Sequence, residues 1–352
     1  MVVTSMAKVF VGLSGGVDSS VSAHMLKAAG HEVVGVFIKT WQPDFLVCNW
    51  ERERLDAMRV AASLEIPFLT CDAEEAYKTA VGEYMIAEYL KGNTPNPDVM
   101  CNRHVKFGVF WEFAKARGAD FIATGHYAQV VKDEHGVPQL VRGNDANKDQ
   151  SYFLWQLTKE DLAHTMFPIG HLPKPQVREY ALANNVPVAE KKDSQGICFL
   201  GHVDIEEFLS HYTTLIPGDV LNENGEKIGT HNGALIYTYG QRHGFTIDAA
   251  TTHEQPHYVI AKDLEANTVI VGTEAPKIEE GENITLTNIS WVSGSQKEML
   301  AQFRYRQSPF PVILSGETLQ VPKETERPAK GQSVVFYTKE GICLGGAIVA
   351  NT

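Results

Sequence analysis

Apolar runs alternate with helical patterns over the first half of the chain. The runs at 8–13, 32–38, 66–70 and 121–124 are short and mostly apolar, which is typical of buried strands. Between them, apolar side chains recur at the spacing of an amphipathic helix. Strands that alternate with helices build a parallel sheet with right-handed crossovers. The pattern therefore predicts an α/β domain with a parallel sheet over 1–201. The helical patterns cover 18–29, 51–64, 73–90 and 105–116, and a further one begins at Pro173.

A different pattern begins after about Gly201. One short helix is predicted over 204–212, and β signals with polar turns follow it to the end of the chain. Several short strands at such spacing favour a small barrel. We therefore expect a small mixed α+β domain over 202–267 and a C-terminal β-barrel over 268–352. The clearest barrel strands are predicted at 268–272, 284–286, 312–314 and 333–337.

Length, apolar content and cysteine spacing exclude several classes of protein. A chain of 352 residues can hold two or three domains, and no apolar run approaches the ~20 residues of a membrane span. The N-terminus lacks the basic and apolar regions of a signal peptide. The cysteines are scattered and never spaced as Cys-x-x-Cys, which argues against a disulfide scaffold or a zinc knuckle and for a reducing cytoplasm. They are Cys48, Cys71, Cys101, Cys198 and Cys343.

The net charge of −12 argues against a general nucleic-acid binder. The charge is uneven, because residues 201–300 carry 5 Lys/Arg against 15 Asp/Glu, whereas residues 101–200 carry 12 against 11 and residues 301–352 carry 6 against 4. Any RNA contact is therefore expected to be local and to come from these last two blocks. The acidic block is a solvated face or a protein-docking surface.

The most informative stretch is 12–20, which follows the first strand and opens the first helix. Gly15 and Gly16 let an anion approach the backbone, and the helix N-terminus and the hydroxyls of Ser14 and Ser19 favour phosphate. No Gly-Lys-Ser/Thr follows, so this is not a Walker loop, and the dinucleotide spacing Gly-x-Gly-x-x-Gly is absent. Ser-Gly-Gly-x-Asp-Ser after a strand resembles the PP-loop of ATP pyrophosphatases. The structural alternative is a tight turn with a Ser/Asp cap.

Two further strand ends are candidates for nucleotide contact, since ligands of open parallel sheets sit beyond the carboxyl ends of the strands. Ile38 ends the second strand and is placed to pack on a nucleobase, although a core isoleucine without a ligand fits equally well. Gly125 follows the strand at 121–124 and suggests a close approach of backbone to nucleotide.

Asp98 and Cys101 form the candidate reactive pair. Prolines and asparagines fix a loop over 92–102, and the predicted helix follows it, so that Cys101 lies near a helix N-terminus, where a thiolate is favoured. A carboxylate beside a cysteine suits proton transfer. The alternative is a capping aspartate with a buried cysteine. Cys198 lies in a later loop, behind Lys191 and Lys192, where a thiol could be exposed and activated.

RNA contacts are suggested by two polar stretches with aromatic residues. Lys148, Gln150 and Tyr152 suit backbone and base contacts, although this signal is weak alone. Arg304 and Arg306 flank Tyr305 in a predicted strand, which places both arginines on one face and favours phosphate. The alternative is a charged edge strand that keeps the sheet soluble.

Taken together, these residues resemble the bacterial tRNA-specific 2-thiouridylase family over nearly the whole chain. Each of the short matching segments is a weak signal alone, but the occurrence of all of them in one order is a specific signal. The segments are 12–20, Thr94-Pro95-Asn96-Pro97-Asp98 with Cys101-Asn102, 123–127, 147–154, Gly196-Ile197-Cys198-Phe199, Gly240-Gln241-Arg242, 304–307 and 343–346.

The resemblance implies a Rossmann-like PP-loop domain and ATP-dependent replacement of the C2 oxygen by sulfur in the wobble uridine of tRNA, with release of AMP and pyrophosphate. It also implies ATP with Mg²⁺, a sulfur-donor protein, a persulfide on Cys198, and a transient disulfide between Cys198 and Cys101, with Asp98 as acid/base. The implied ATP-binding residues are Gly12, Leu13, Ser14, Gly15, Gly16, Val17, Asp18, Ser19, Ile38 and Gly125. The implied tRNA-binding residues are Asn96, Pro97, Asp98, His126, Lys148, Asp149, Gln150, Arg304, Tyr305 and Gln332.

Two rival functions stay open at this stage. A PP-loop ligase that transfers an amide or amino group uses the same activation, but it needs an ammonia source and leaves both loop cysteines idle. An RNA-binding scaffold without catalysis predicts a broken PP-loop or a missing cysteine, and neither is seen in the sequence.

Overall fold

The computed structural model of the protein describes residues 6–46, 50–193, 204–248 and 255–351. The strands of its N-terminal region are β1 (Lys8–Gly12), β2 (Glu32–Lys39), β3 (Phe68–Asp72), β4 (Phe121–Ala123), β5 (Ala128–Lys132), β6 (Pro138–Arg142) and β7 (Thr165–Met166). In this described region, a five-stranded parallel sheet has the order β3-β2-β1-β4-β7, and β5 and β6 form a separate antiparallel hairpin. The predicted parallel α/β domain is confirmed.

Helices cover both faces of this sheet. They are α1 (Val17–Ala28), α2 (Trp50–Ser63), α3 (Glu74–Tyr77), α4 (Tyr84–Leu90), α5 (Pro97–Met100), α6 (Phe110–Lys115), α7 (Lys159–Ala163) and α8 (Lys174–Ala183). One face buries Val21 of α1, Val60 of α2 and Val177 of α8, and α3 to α6 cover the other. Over the ranges described above, none of the helices combines the length and apolar character needed to span a membrane.

The helix that carries Cys101 begins eight residues earlier than its pattern predicted. It starts at Pro97 rather than near Val105, and π-helical turns over Cys101–Val109 join α5 to α6. Proline suits a first helical position because its fixed φ is helical and its missing N–H is not needed there. The Cys101 amide already donates to carbonyls of Pro97 and Asp98. Cys101 therefore lies near a helix N-terminus, as predicted, but one turn inside the helix, where its own amide is already paired.

The middle region forms a second sheet. Its elements are α9 (Ile205–Ser210), β8 (Gly218–Leu221), β9 (Lys227–His231), β10 (Phe245–Ile247), β11 (Tyr258–Asp263) and β12 (Thr268–Gly272). Where it is described, this sheet has the order β10-β9-β8-β12-β11. We predicted β12 as the first strand of the barrel over 268–352, but it pairs with β8 and β11, and its Val269 and Val271 fill the core of the middle sheet.

The C-terminal region is the predicted β-barrel. Its strands are β13 (Asn283–Trp291), β14 (Glu298–Gln302), β15 (Phe310–Ser315), β16 (Thr318–Gln320), β17 (Ser333–Tyr337) and β18 (Cys343–Asn351). They close in the order β13-β16-β15-β14-β17-β18. Residues 304–306 lie in a turn after β14, and Arg306 has a left-handed φ of +68°. The prediction that the two arginines share a strand face was wrong, because the strand ends at Gln302.

The barrel shares a core with the N-terminal domain. Val335 and Tyr337 of β17 belong to the same buried cluster as Phe110 of α6. The Tyr152 hydroxyl lies 3.0 Å from the carbonyl oxygens of both Phe303 and the first residue of β17, and its single hydrogen is shared between them. These contacts fix the residues that follow β6 against the barrel.

Candidate active site

The turn between β1 and α1 has the geometry of an anion site. Gly15 has a φ of +69°, and a Cβ there would lie 2.5 Å from the Glu53 carbonyl oxygen, so only glycine fits. Gly16 caps α1 without a side chain, which leaves the first amides of the helix without intrahelical acceptors. The Ser14 amide donates to the Ser19 hydroxyl at 3.3 Å. Amides without intrahelical acceptors, two hydroxyls and the positive end of α1 can together bind phosphate.

Three other residues predicted to bind ATP line or support this turn. Leu13 and Val17 are buried in the core between the sheet and α1, so they hold the turn in place rather than face a ligand with their side chains. Ile38 is buried at the end of β2, and its Cδ1 atom would be 3.7 Å from a Cβ built on Gly12. Ile38 therefore borders the first residue of the loop.

Gly125 approaches the loop itself. A Cβ on Gly125 would lie 2.6 Å from the Ser19 amide nitrogen and 2.7 Å from the Asp18 carbonyl carbon. We predicted that the backbone at Gly125 closely approaches a nucleotide. In the structure, it closely approaches the start of α1. Glycine is needed here because any side chain would displace the anion-binding helix.

A network of charged side chains that the sequence did not predict lies behind the loop. The Lys174 ammonium contacts the Asp18 carboxylate at 2.7 Å and that of Asp193 at 2.8 Å. Asp193 also accepts from Lys148 and Arg178, each at 2.6 Å. Burial alone would raise the pKa of the Asp193 carboxyl. The contacts with Lys148 and Lys174 outweigh burial and hold that pKa well below its usual value. No spacing in the sequence signals this network, because its members come from distant elements.

A second lysine contacts the loop from the segment that carries Asp193. The Lys191 ammonium donates to the Gly15 carbonyl oxygen at 3.0 Å and to the Asp56 carboxylate of α2 at 2.8 Å. Burial would raise the pKa of Asp56, but Lys191 and Arg59 outweigh it and lower that pKa. The PP-loop turn is therefore held from α2 and from residues 191–193 together.

Asp98 and Cys101 lie one helical turn apart, so the structure places them on the same side of the helix that begins at Pro97. Cys101 is fully buried and Asp98 is half-buried. The neighbouring Asn102 donates from its side chain to the Phe153 carbonyl oxygen at 3.1 Å, which ties this helix to the 147–154 segment. Cys198 lies outside the described residues.

Two predicted RNA contacts lie where the helix meets the barrel. Asn96 directly precedes the buried Pro97, and its side-chain oxygen accepts from the Ser333 amide at 2.6 Å. Gln332 is half-buried beside it, and its side-chain oxygen accepts from the Ala329 amide at 2.8 Å. The structure thus brings these two stretches, distant in sequence, to one seam.

A second seam joins the other two predicted RNA stretches. The Tyr305 hydroxyl lies 3.5 Å from the Lys148 carbonyl oxygen, and the Arg306 guanidinium donates to the Asn147 carbonyl oxygen at 3.1 Å. Arg304 is paired with Glu326 at 2.7 Å. The 304–306 turn therefore packs on the 147–150 loop, and both stretches border one surface.

Three of the predicted RNA contacts are engaged inside the protein. His126 is 7% exposed, its ring is hydrogen-bonded to Thr124 at 2.7 Å, and burial lowers its pKa well below the usual value. Asp149 is 4% exposed and is bound to Arg142 at 2.6 Å. The Gln150 side chain accepts from the Tyr127 amide at 3.0 Å. His126 and Asp149 therefore lie beneath the surface, and Gln150 is half-buried beside them.

Family models match the chain in three consecutive parts. A model described as "tRNA methyl transferase HUP domain" matches residues 7–202. A "tRNA methyl transferase PRC-barrel domain" matches residues 206–273, and an "Aminomethyltransferase beta-barrel domain" matches residues 281–349. These boundaries agree with the placement of β12 in the middle sheet.

Curated relatives match the chain from end to end. A protein of Streptococcus thermophilus strain CNRZ 1066, named tRNA-specific 2-thiouridylase MnmA, is 44% identical over 361 residues, which cover 98% of this chain and 95% of the relative. The chain belongs to the tRNA-specific 2-thiouridylase family. Another family member, from Enterococcus faecalis strain V583, is 42% identical and covers 98% of this chain and 96% of its own length.

Solved structures resemble the chain only weakly. A 4-thiouridine synthetase–RNA complex with bound ATP has 20% identity and a TM-score of 0.37, and the match covers 55% of this chain and 45% of that one. The U34-tRNA thiolase NcsA from Methanococcus maripaludis has 16% identity and a TM-score of 0.36, over 58% of this chain and 62% of its own. At these values the likeness does not extend to function.

Proposed function

We propose that the protein is an ATP-dependent tRNA sulfurtransferase that replaces the C2 oxygen of the wobble uridine by sulfur. The observation that carries this proposal is the match to 2-thiouridylases over 98% of the chain. The described site supports it, because the same domain holds a turn suited to anions and an Asp–Cys pair. A uracil carbonyl is a poor electrophile with a poor leaving group, so the reaction needs both activation and a sulfur nucleophile.

Activation is the task of the PP-loop. The amides of Gly15, Gly16 and Val17 and the hydroxyls of Ser14 and Ser19 bind the phosphates of ATP, and Ile38 packs against the adenine. The uridine O2 atom attacks the α-phosphorus, the α–β bridging bond breaks, and its electron pair leaves with pyrophosphate. The C2 oxygen is then part of an AMP leaving group.

Magnesium fits the donor set at the loop. Mg²⁺ prefers oxygen ligands and is bound in nucleotide sites by one or two carboxylates with substrate phosphates. Asp18 presents a carboxylate at the start of α1, and Ser14 and Ser19 present hydroxyls. In the described ranges, no cluster of three or more His, Cys, Asp or Glu side chains could hold a metal. Bound with ATP, Mg²⁺ would neutralise phosphate charge.

Sulfur transfer is the task of the two cysteines. A sulfur-donor protein loads Cys198 as a persulfide, whose terminal sulfur attacks C2 and displaces AMP. The Cys101 thiolate then attacks the Cys198 sulfur, and the terminal sulfur keeps the electron pair of the broken S–S bond and stays on C2. The resulting disulfide must be reduced by an external thiol before the next cycle. Asp98 moves protons to and from the base and the thiols.

The tRNA is held at the two seams. Asn96 and Pro97 contact the flipped base with Asp98, since base-modifying enzymes take the base out of the stack. Lys148, Arg304, Tyr305 and Gln332 bind the anticodon stem-loop. His126, Asp149 and Gln150 support this surface from beneath.

Two rival reactions make different products. A methyl transferase, the activity for which two of the matching family models are named, does not release pyrophosphate from ATP. A PP-loop ligase releases pyrophosphate but transfers nitrogen. We expect tRNA-dependent release of pyrophosphate and AMP from ATP in the presence of sulfide or a persulfide donor. Pyrophosphate that forms only when ammonia or glutamine is supplied would favour the ligase.

The role of Cys101 has a matched control in Cys343. Both cysteines are fully buried, but Cys343 lies in β18, and burial raises its pKa to about 12. Cys101→Ser should abolish formation of 2-thiouridine under mild reductant while tRNA-dependent pyrophosphate release continues, because activation precedes sulfur transfer. Cys343→Ser should retain both. Full thiolation by Cys101→Ser would show that Cys101 has no part in sulfur transfer.

A further inference from the structure

One turn of the middle region, residues 238–244, presents a basic side chain to solvent. Gln241 closes this turn with its side chain, whose oxygen accepts from the Thr238 amide at 3.1 Å and whose nitrogen donates to the His243 carbonyl oxygen at 2.9 Å. Arg242 lies between these bonds and is exposed. The side chain of Gln241 therefore fixes the backbone from which the guanidinium of Arg242 extends.

The base of the turn is fixed as well. Tyr237 directly precedes it and is fully buried, and its hydroxyl donates to the Gly244 carbonyl oxygen. The Gly240 amide donates to the Val259 carbonyl oxygen of β11 at 2.8 Å, and the Val259 amide donates to the Gln241 carbonyl oxygen at 2.9 Å. A ligand that binds to this turn has little backbone entropy to remove, which favours binding.

Arg242 is a cation without a carboxylate partner in an acidic part of the chain. Residues 201–300 carry 15 Asp/Glu against 5 Lys/Arg. The exposed Lys227 of this part is paired with Asp219 at 2.7 Å. Over the residues whose structure is described, the side chain of Arg242 has neither an ion pair nor a hydrogen bond. Its charge is therefore available to an anion from outside the chain.

The same turn adjoins both seams at which the tRNA is proposed to bind. The Thr238 hydroxyl lies 2.8 Å from the hydroxyl of Thr94, two residues before Asn96. A Cβ built on Gly240 would lie 3.4 Å from a guanidinium nitrogen of Arg304. The turn is thus continuous with the proposed RNA-binding surface, and it lies on the side of that surface where the flipped base enters.

We propose that Arg242 binds a backbone phosphate of the anticodon stem-loop of the tRNA. This inference rests on the proposed function and adds the middle region to its RNA-binding surface. The guanidinium is a planar fork of N–H donors that matches the oxygens of a phosphate, and it remains charged at neutral pH. A phosphate contact reads no sequence, but it fixes the position of the nucleic acid. Arg242 thereby orients the anticodon stem-loop while the base enters the site.

The salt dependence of tRNA binding tests this contact. Arg242→Gln removes the charge, and the Kd of an unmodified tRNA transcript is measured by fluorescence anisotropy at several salt concentrations. We expect the Kd to rise roughly fivefold or more at low salt, because a charge-assisted contact is lost. The slope of log Kd against log salt concentration should fall by about 0.7–0.9, because one phosphate fewer is neutralised. Arg242→Lys keeps the charge and should keep the slope.

Lys297→Gln is the matched control. Lys297 is exposed in the same acidic part of the chain and precedes β14, whereas the turn with Arg304 follows that strand at its other end. This variant changes the net charge equally but should leave the Kd and the slope as in the wild type. Equal effects of Arg242→Gln and Lys297→Gln would overturn the inference, since net charge alone would explain them. A higher Kd of Arg242→Gln with an unchanged slope would also overturn it, because that result indicates a distorted turn.

Pyrophosphate release from ATP by the wild type with the same tRNA tests the proposed function separately. If the wild type releases pyrophosphate and Arg242→Gln has an unchanged Kd and slope, the inference alone fails. If the wild type releases no pyrophosphate with the tRNA, the proposed function fails, and the inference fails with it.

Discussion

Gly15 carries two constraints at once. Its backbone is left-handed, and its Cα faces the Glu53 carbonyl oxygen of α2 so closely that no side chain fits. The glycine pair was predictable from the sequence as an approach for phosphate. The packing of Gly15 against α2 was not, since that contact depends on how α2 sits on the sheet.

Gly15→Ala should therefore lose ATP binding and stability together. Alanine at a positive φ costs more than about 1 kcal/mol, and the clash with Glu53 adds to it. Gly136→Ala is the control, because Gly136 has a φ of +79° and a Cβ added there would have nothing within 4 Å, so that this variant incurs backbone strain alone. Thermal unfolding and ATP titration measure both effects. Equal losses of stability and unchanged ATP binding in both variants would contradict the two roles of Gly15.

His126 predicts a pH dependence of stability. Burial keeps its pKa in the folded protein well below the usual value near 6.5. Between these two pKa values the unfolded chain binds a proton that the folded protein does not, so stability falls as the pH drops below about 6.5. From about pH 7.5 to 5.5, the free energy of unfolding of the wild type should fall by about 1.4 kcal/mol more than that of His126→Gln. Urea unfolding of both proteins at both pH values measures this difference. If the wild type and His126→Gln lost the same free energy of unfolding, His126 would titrate in the folded protein as it does in the unfolded chain, and the prediction would be wrong.

Elements whose residues follow a strong local pattern were predictable. The order of strands and helices along the N-terminal domain follows from apolar periodicity, and the barrel follows from short strands and turns. The start of the helical segment from α5 to α6 was predicted too late in the chain. Two prolines and two asparagines are equally typical of a loop and of a helix N-terminus. The 304–306 turn was misjudged because alternating residues resemble a strand, whereas the fold ends β14 at Gln302.

Asn96 joins two of these elements, the start of α5 and the start of β17. Asn96→Ala removes the acceptor of the Ser333 amide and should lower the free energy of unfolding by about 1–3 kcal/mol, since it leaves a part-buried donor unpaired. Asn96→Asp keeps an acceptor oxygen and should lose less. Urea denaturation compares the two. An alanine variant as stable as the aspartate variant would show that this bond does not hold the elements together.

At the scale of the whole molecule, the site is assembled by the docking of the barrel on the N-terminal domain. The predicted RNA-binding residues lie at 96–98, 126, 148–150, 304–305 and 332, and the two seams form only because β17 and the turn after β14 pack on the first domain. These residues are proposed for RNA binding through a family resemblance. Their arrangement was not predictable, and neither was the network around Lys174, since both depend on contacts between distant segments.

The nucleoside product tests the proposed thiolation most directly. The protein is incubated with tRNA, ATP, Mg²⁺ and a sulfur donor, and the tRNA is digested and analysed by liquid chromatography with mass spectrometry. We predict 2-thiouridine at the wobble position, dependent on ATP and absent with Cys198→Ser. A digest without 2-thiouridine, in which pyrophosphate has been released toward a nitrogen acceptor or a methylated nucleoside has formed, would contradict the proposal.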